Sequence, residues 1–221
     1  MYDNLLQLPL FQGLSKEDFT NIIERVRFHF LTYQKGETII QQDAPCDRLI
    51  FMLNGEITCT TTHHEDGYAL SESFKKAHII EPQSLFGMHN TFRASYRAKE
   101  DTQLLSIDKS FIFSELNNYE IFRLNFLNLL SNRCQTLQQK LWTSSHSTLK
   151  GKIVHFLLMR SQLPYGEKTL YITMDHLSKI IDETRINVSR TLNEWQAKGW
   201  LQLKRKEMFI PELDWLVQDL A

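Results

Sequence analysis

Residues 172–201, ITMDHLSKIIDETRINVSRTLNEWQAKGWL, decide how the rest of the chain is read. Thr173 is placed to cap a helix running through Leu177 and Ile180, and residues 182–184 supply a short polar break. Thr184 then stands at the start of a second helix, where its hydroxyl can accept from first-turn amides that have no carbonyl partner. On that helix Val188, Leu192 and Trp195 share one side and Ile186 lies on another, which leaves Arg185, Asn187, Ser189 and Arg190 to face outward. Two short helices with a tight turn, the second polar near its start, are the build of a helix-turn-helix, whose second helix can enter a DNA major groove. Any helical hairpin shares that pattern, so the residues that follow carry weight.

Gly199 is a candidate C-cap, residues 200–203 alternate, Lys204, Arg205 and Lys206 form a basic turn, and Met208 to Ile210 return as a strand. This predicts a winged helix with three cations on the wing. The stretch resembles the cyclic-AMP receptor protein and FNR (CRP/FNR) class of bacterial transcription regulators, through I-T-x-x-x-L at 172–177 and T-R-x-x-V-S-R at 184–190, without a gap over 172–201.

Toward the N-terminus the period is that of strands. After a helix expected from Ser15 through Phe19, Ile22, Ile23 and Val26, residues 28–33 alternate toward the turn Gln34-Lys35-Gly36-Glu37. Strands follow at 38–40 and 49–53, and Asn54-Gly55 is the strongest hairpin signal in the chain, with 56–62 expected to return from it. A turn at 63–67, weaker strands at 68–74 and 77–80, a helical stub after Gly87, and strands at 95–99 and 103–107 complete a β-barrel or double-sheet roll. Y-x-K-G-E-x-I at 33–39, I-F-x-L-N-G-E at 50–56 and the Phe86-Gly87 pair resemble the cyclic-nucleotide-binding roll of the same family.

After Asp108 the period turns helical. Phe111, Phe113 and Leu116 suggest a short helix, and a longer one begins near Tyr119. Along it Leu124, Leu127, Leu130, Cys134, Leu137 and Leu141 fall at spacings of three and four, flanked by polar residues. A helix joining two compact modules has little of its own domain to lie on, so this stripe reads as a coiled-coil seam, and the resemblance implies the family's dimer helix. Residues 144–148 are a polar break, the expected hinge. The predicted class is α+β: a cyclic-nucleotide-binding-like double-stranded β-roll over 1–117, a long dimerisation helix over 118–145, and a winged helix-turn-helix over 146–221.

Overall charge does not advertise nucleic acid, since 25 basic against 26 acidic residues leave a formal net charge of −1. Local distribution decides instead, with cations crowding the C-terminal third. Three cysteines, Cys46, Cys59 and Cys134, without a C-x-x-C pair indicate neither a disulfide frame nor a zinc knuckle. No apolar run approaches a membrane span and the first residues do not read as a signal peptide, so a cytoplasmic protein is expected. Neither G-x-x-x-x-G-K nor G-x-S-x-G occurs, which argues against an enzyme.

Arg185 and Arg190 are the candidate base readers, since a guanidinium fork matches guanine O6 and N7. Asn187 and Ser189 join them, with Thr173 and Thr184 at the helix starts, while Lys204, Arg205 and Lys206 suit phosphate. Many family members carry a glutamate where this chain has Ile186, so base preference is expected to differ. The expected partner is double-stranded DNA, bound by a homodimer at a pseudo-palindromic operator with half-sites about one helical turn apart, with RNA polymerase recruited or the DNA bent. A protein-interaction module built on the same helices is the competing reading.

The expected effector pocket comprises Phe86, Gly87, Met88, Phe92 and Arg93. The resemblance implies a glutamate after Phe-Gly for the ribose and a later arginine for the phosphate. This chain reads Phe86-Gly87-Met88, and aligning Arg97-Ala98-Lys99 places Phe92 at the phosphate position with Arg93 one residue out of register. Methionine accepts no ribose hydrogen bond, so cyclic AMP is disfavoured. An iron-sulfur cluster is disfavoured too, for want of cysteines before Phe28. Haem stays open, with His29, His63, His64, His78, His89, Met52 and Met88 as candidate ligands of a haem- or gas-sensing regulator.

Overall fold

The structure is a computed structural model that describes residues 6, 8–75, 77–142 and 148–220. Its contacts divide the chain into two compact units, residues 1–57 with 75–138 and residues 58–74 with 139–221.

The first unit opens with α1 (Lys16–Arg25), capped by Ser15, whose side chain accepts from the Asp18 amide. Phe19 and Ile22 are buried on one side of α1 and Ile23 is half-buried. The strands are β1 (Phe28–Tyr33), β2 (Thr38–Ile40), β3 (Arg48–Asn54), β6 (His78–Ile80), β7 (Ser95–Ala98) and β8 (Thr102–Asp108). One antiparallel sheet runs β1-β8-β3-β6, and β2 pairs with β7. Leu49 to Met52 are buried without alternation, as expected of a strand covered on both faces. Phe11 is fully buried at the centre of the apolar core, its ring centroid 5.8 Å from that of Phe51 and 5.6 Å from that of Phe122.

Two expectations need correcting here. Asn54-Gly55 does not close a hairpin with the next strand, because β3 pairs with β8 and β6. Gly55 instead passes hard against Thr102: at φ +102°, a Cβ on it would stand 2.5 Å from Thr102 Oγ1 and 2.8 Å from the Asp101 carbonyl oxygen. The helical stub lies before Phe86-Gly87, as a 3₁₀ turn at Pro82–Ser84, where Pro82 at the first position suits a helical start.

Next come α2 (Lys109–Ser114) and a 3₁₀ turn at Leu116–Asn118. Ile112 and Leu116 are buried, whereas Phe113, expected inside, is 73% exposed. The 23-residue helix α3 (Glu120–Trp142) follows. Contrary to expectation, its first part does lie on the roll: Phe122 is buried, and Asn125 Nδ2 donates to the Leu10 and Gln12 carbonyls. Further along, Arg133 donates to Gln83 Oε1 and the Ile79 carbonyl.

The second unit holds β4 (Ile57–His63, from residue 58), β5 (Tyr68–Phe74), α4 (Leu149–Arg160), β9 (Lys168–Tyr171), α5 (Met174–Ile180), α6 (Arg185–Ala197), β10 (Gln202–Lys204), β11 (Glu207–Ile210) and α7 (Leu213–Gln218). Its antiparallel strands run β10-β11-β9-β5-β4, so the wing is extended by the β4–β5 hairpin through β5 and β9. One core gathers Ile153, Leu157, Leu170, Leu177, Val188, Leu192, Trp195, Met208, Leu213 and Leu216. Thr148 caps α4, accepting from the Gly151 amide, while the rest of the expected hinge, residues 144–147, lies outside the described residues.

Candidate nucleic-acid interface and effector cassette

Both helix starts of the 172–201 motif are built as the sequence requires. Thr173 Oγ1 accepts from the His176 amide at 3.2 Å and Thr184 Oγ1 from the Asn187 amide at 3.3 Å. Between the helices Asp182 takes a left-handed conformation at φ +52°, and the Glu183 amide returns to the Ser178 carbonyl. This fixes the turn that lets α6 leave at an angle from α5. At the far end Gly199, at φ +75°, donates to the Gln196 carbonyl and Trp200 to the Trp195 carbonyl, a Schellman-type close.

α6 is anchored by Val188, Leu192 and Trp195, all essentially inaccessible. Its other side presents Arg185 and Arg190, and between them Ile186, 79% exposed. Arg190 donates to Asn187 Oδ1 at 3.0 Å, so these two candidate readers stand together, while Arg185 Nε lies 3.5 Å from Asp175 on α5. Ser189 Oγ accepts from Asn193 Nδ2 at 3.3 Å. On the wing Lys204 pairs with Glu207 at 3.0 Å, and Arg205 and Lys206 are exposed at the tip, where Lys206 turns at φ +61°.

Three supports were not foreseen from sequence. Asp219 accepts from Trp195 Nε1 at 2.9 Å, Lys150 Nζ at 2.7 Å and Lys198 Nζ at 2.8 Å, binding three helices at one carboxylate. Burial works to raise the pKa of Asp219, but these hydrogen bonds outweigh it and hold the carboxyl well below the usual carboxylate range. Gln196 Oε1 accepts from the Leu203 amide at 2.8 Å, fixing the wing to α6, and the Lys206 carbonyl accepts from the Ile172 amide at 3.1 Å. No sequence pattern marks Asp219 or Gln196, since each works through a single contact between distant elements.

In the first unit, the expected pocket residues separate. Gly87, at φ +106°, has nothing within 4 Å of an added Cβ, so backbone conformation and not space favours glycine there. Met88 is 95% exposed, Phe92 is buried and Arg93 is exposed. Phe86 stacks under Lys109 Nζ at 4.8 Å and meets Phe126 edge-on at 6.1 Å. What the sequence did not single out is Glu81. Buried and in a left-handed conformation at φ +38°, its carboxylate accepts from the Arg93 amide at 2.7 Å, the Ala94 amide at 3.1 Å, Ser84 Oγ at 2.9 Å and Tyr96 Oη at 3.0 Å. A cyclic nucleotide does not fit these residues: Met88 offers the ribose no acceptor and points to solvent, and the amides beside Phe92 are already taken.

The haem candidates do not converge on one place. His29 faces Asp108 at 3.4 Å, His63 stacks on Tyr68 with centroids 4.6 Å apart, and Met52 and His78 are cross-strand neighbours. Two cross-strand neighbours approach from one side, whereas two axial ligands need opposite faces of the ring.

On α3 the residues expected in a dimer seam are turned away from the roll. Leu124, Leu127 and Leu137 are each more than half exposed, Cys134 is exposed and Leu130 half-buried; the side chain of Leu141 lies outside the described residues. Beside them a groove of about 210 Å³ is lined by Phe86, Phe113, Phe126 and Leu127 among others. Among the described residues no helix is long and apolar enough to cross a membrane.

Comparison with known proteins agrees with this architecture. The family model for the cyclic nucleotide-binding domain matches residues 30–119, and that for the Crp-like helix-turn-helix domain matches residues 151–218. A CRP-like cAMP-activated global transcriptional regulator of Mycobacterium tuberculosis is 19% identical over 230 residues, covering 99% of each chain. Among solved structures, the catabolite activator protein of Thermus thermophilus aligns over 96% of this chain and 100% of its own at 22% identity with a TM-score of 0.55. The c-di-GMP-responsive global regulator CLP of Xanthomonas campestris aligns over 89% and 99% at 16% identity with a TM-score of 0.51. With a cyclic-nucleotide-binding-type roll, a long helix and a Crp-like helix-turn-helix in this order, the chain belongs to the CRP/FNR family of transcription regulators.

Proposed function

We propose that the protein is a homodimeric, sequence-specific DNA-binding regulator acting in the cytoplasm. The observation that carries this reading is the division of α6: Val188, Leu192 and Trp195 bury one face completely, and the other offers Arg185, Ile186 and Arg190 to a partner. Arg190 and Arg185 read base edges, with Asn187 and Ser189 setting the position of Arg190 and contacting the same groove. Ile186 supplies an apolar contact suited to a thymine methyl group. Arg205, Lys206 and Lys204 on the wing neutralise phosphates, and the capped helix starts at Thr173 and Thr184 approach the backbone.

The functional division is an effector part over 1–117, a dimer helix over 118–145 and a DNA-binding part over 146–221, in line with the spans of the two family models. The exposed Leu124, Leu127 and Leu137 support pairing of α3 with its copy, since an apolar row of this length on a helix calls for cover. Its effector is not cyclic AMP, for the reasons of fit given above, and recruitment of RNA polymerase is the expected output.

Selection of bound duplexes from a random pool, followed by binding with Arg190→Ala, tests the reading. Enrichment of a two-part site that the variant no longer distinguishes supports it. Failure to enrich any sequence would favour a protein-interaction role for the same helices.

A further inference from the structure

We propose that Glu81 is a built-in anion of the effector cassette, its carboxylate standing where the phosphate of an effector would be held, so that the chain orders its own cassette and is closed to phosphate-bearing ligands. This deepens the reading of the roll as an effector domain and names the residue that sets its specificity.

Two successive amides aimed at one point form an anion receptor. Here the Arg93 and Ala94 amides are that pair, and they follow directly on Phe92, the residue aligned with the family's phosphate position. Glu81 satisfies both, at 2.7 and 3.1 Å, and takes the Ser84 and Tyr96 hydroxyls on its remaining sites. A carboxylate accepts at about four lone-pair sites, so four donors leave it saturated. Glu81 is 1% exposed, so solvent does not share in this arrangement.

The backbone shows how the side chain is brought there. A glutamate at φ +38° and ψ 53° is in the left-handed region, a conformation that persists only where its surroundings over-determine it. The turn follows directly on β6 and precedes the 3₁₀ turn, and it sends the side chain inward to β7 instead of outward to water. Arg133 of α3 donates to the Ile79 carbonyl and to Gln83, on either side of Glu81 in sequence, and places a cation in its field. A second anion would therefore meet occupied donors and a buried negative charge.

The test uses the full-length protein and no DNA, so it stands apart from the DNA-binding reading. Glu81→Ala removes a fragment the size of acetate. In the variant, about 100 mM acetate at constant ionic strength is expected to raise Tm saturably by ~3 °C or more, with neither wild type nor Glu81→Gln responding. In wild type, the Arg93 and Ala94 amide resonances are expected to stay in place when inorganic phosphate or 3′,5′-cyclic AMP is added. Movement of those resonances in wild type would overturn the proposal, as would a folded Glu81→Ala variant no more responsive to acetate than wild type. If the variant does not fold, the wild-type resonances decide alone.

Discussion

Glu72 on β5 and Lys168 on β9 form an ion pair of 3.1 Å with side chains 3% and 1% exposed. Each is further satisfied: Glu72 accepts from the Gln162 and Leu163 amides at 2.7 and 3.1 Å, and Lys168 donates to the Tyr165 carbonyl at 2.6 Å. A buried charge that loses its partner costs about 3–5 kcal/mol, whereas replacing both members by apolar groups can be close to neutral. Lys168→Met is therefore expected to destabilise by that amount, and the double variant Glu72→Leu/Lys168→Met by much less than the sum of the singles. Urea unfolding of the four proteins measures the coupling, and additive losses would contradict the pairing.

Gly55→Ala is expected to destabilise by about 1–3 kcal/mol. It places a methyl group against Thr102 and the Asp101 backbone and forces a non-glycine residue to φ +102°. Because Gly36 is also at positive φ but has nothing within 4 Å of an added Cβ, Gly36→Ala should cost less in the same melt.

Acid should weaken the fold through His78. Burial, and secondarily the nearby Arg133, lower its pKa from 6.5 to about 4. The unfolded chain then binds a proton that the folded one refuses between those values, so stability falls as pH drops from about 6.5 to 4 and is flat, for this group, above 6.5. Comparing wild type with His78→Gln across that window isolates the effect, the variant being expected to show the shallower loss. Equal slopes would contradict it.

The two cationic groups of the DNA-binding part should separate in their effects. Arg190→Ala is expected to cost about 1–3 kcal/mol and to relax preference at one base position of each half-site. Neutralising Arg205 and Lys206 should weaken binding to all sequences alike and reduce the salt slope by up to about 2. Anisotropy titrations over a range of salt concentrations distinguish the patterns.

Elements set by local chemistry were legible in the sequence. The Thr173 and Thr184 caps, the Gly199 close, the buried Val188, Leu192 and Trp195, and the Ser15 start all stand where spacing puts them. What was not legible depends on pairing at a distance. Asn54-Gly55 has hairpin chemistry, yet its strand pairs elsewhere, and β9 went unseen because Lys168 reads as a surface residue until Glu72 is placed beside it. The apolar stripe of α3 is two stripes, one at Phe122 on the roll and one at Leu124, Leu127 and Leu137 facing away, which a spacing of three and four cannot separate. Glu81 gave no signal, for its four donors come from residues 84–96 through a single left-handed residue.

The most direct test of the account is the mass of the protein–DNA complex on a selected operator, measured by sedimentation with duplexes carrying one or both half-sites. Two chains per duplex, half-sites about one helical turn apart, and a marked loss of affinity when one half-site is scrambled are the predicted result. A single chain per duplex, or affinity indifferent to the second half-site, would contradict it.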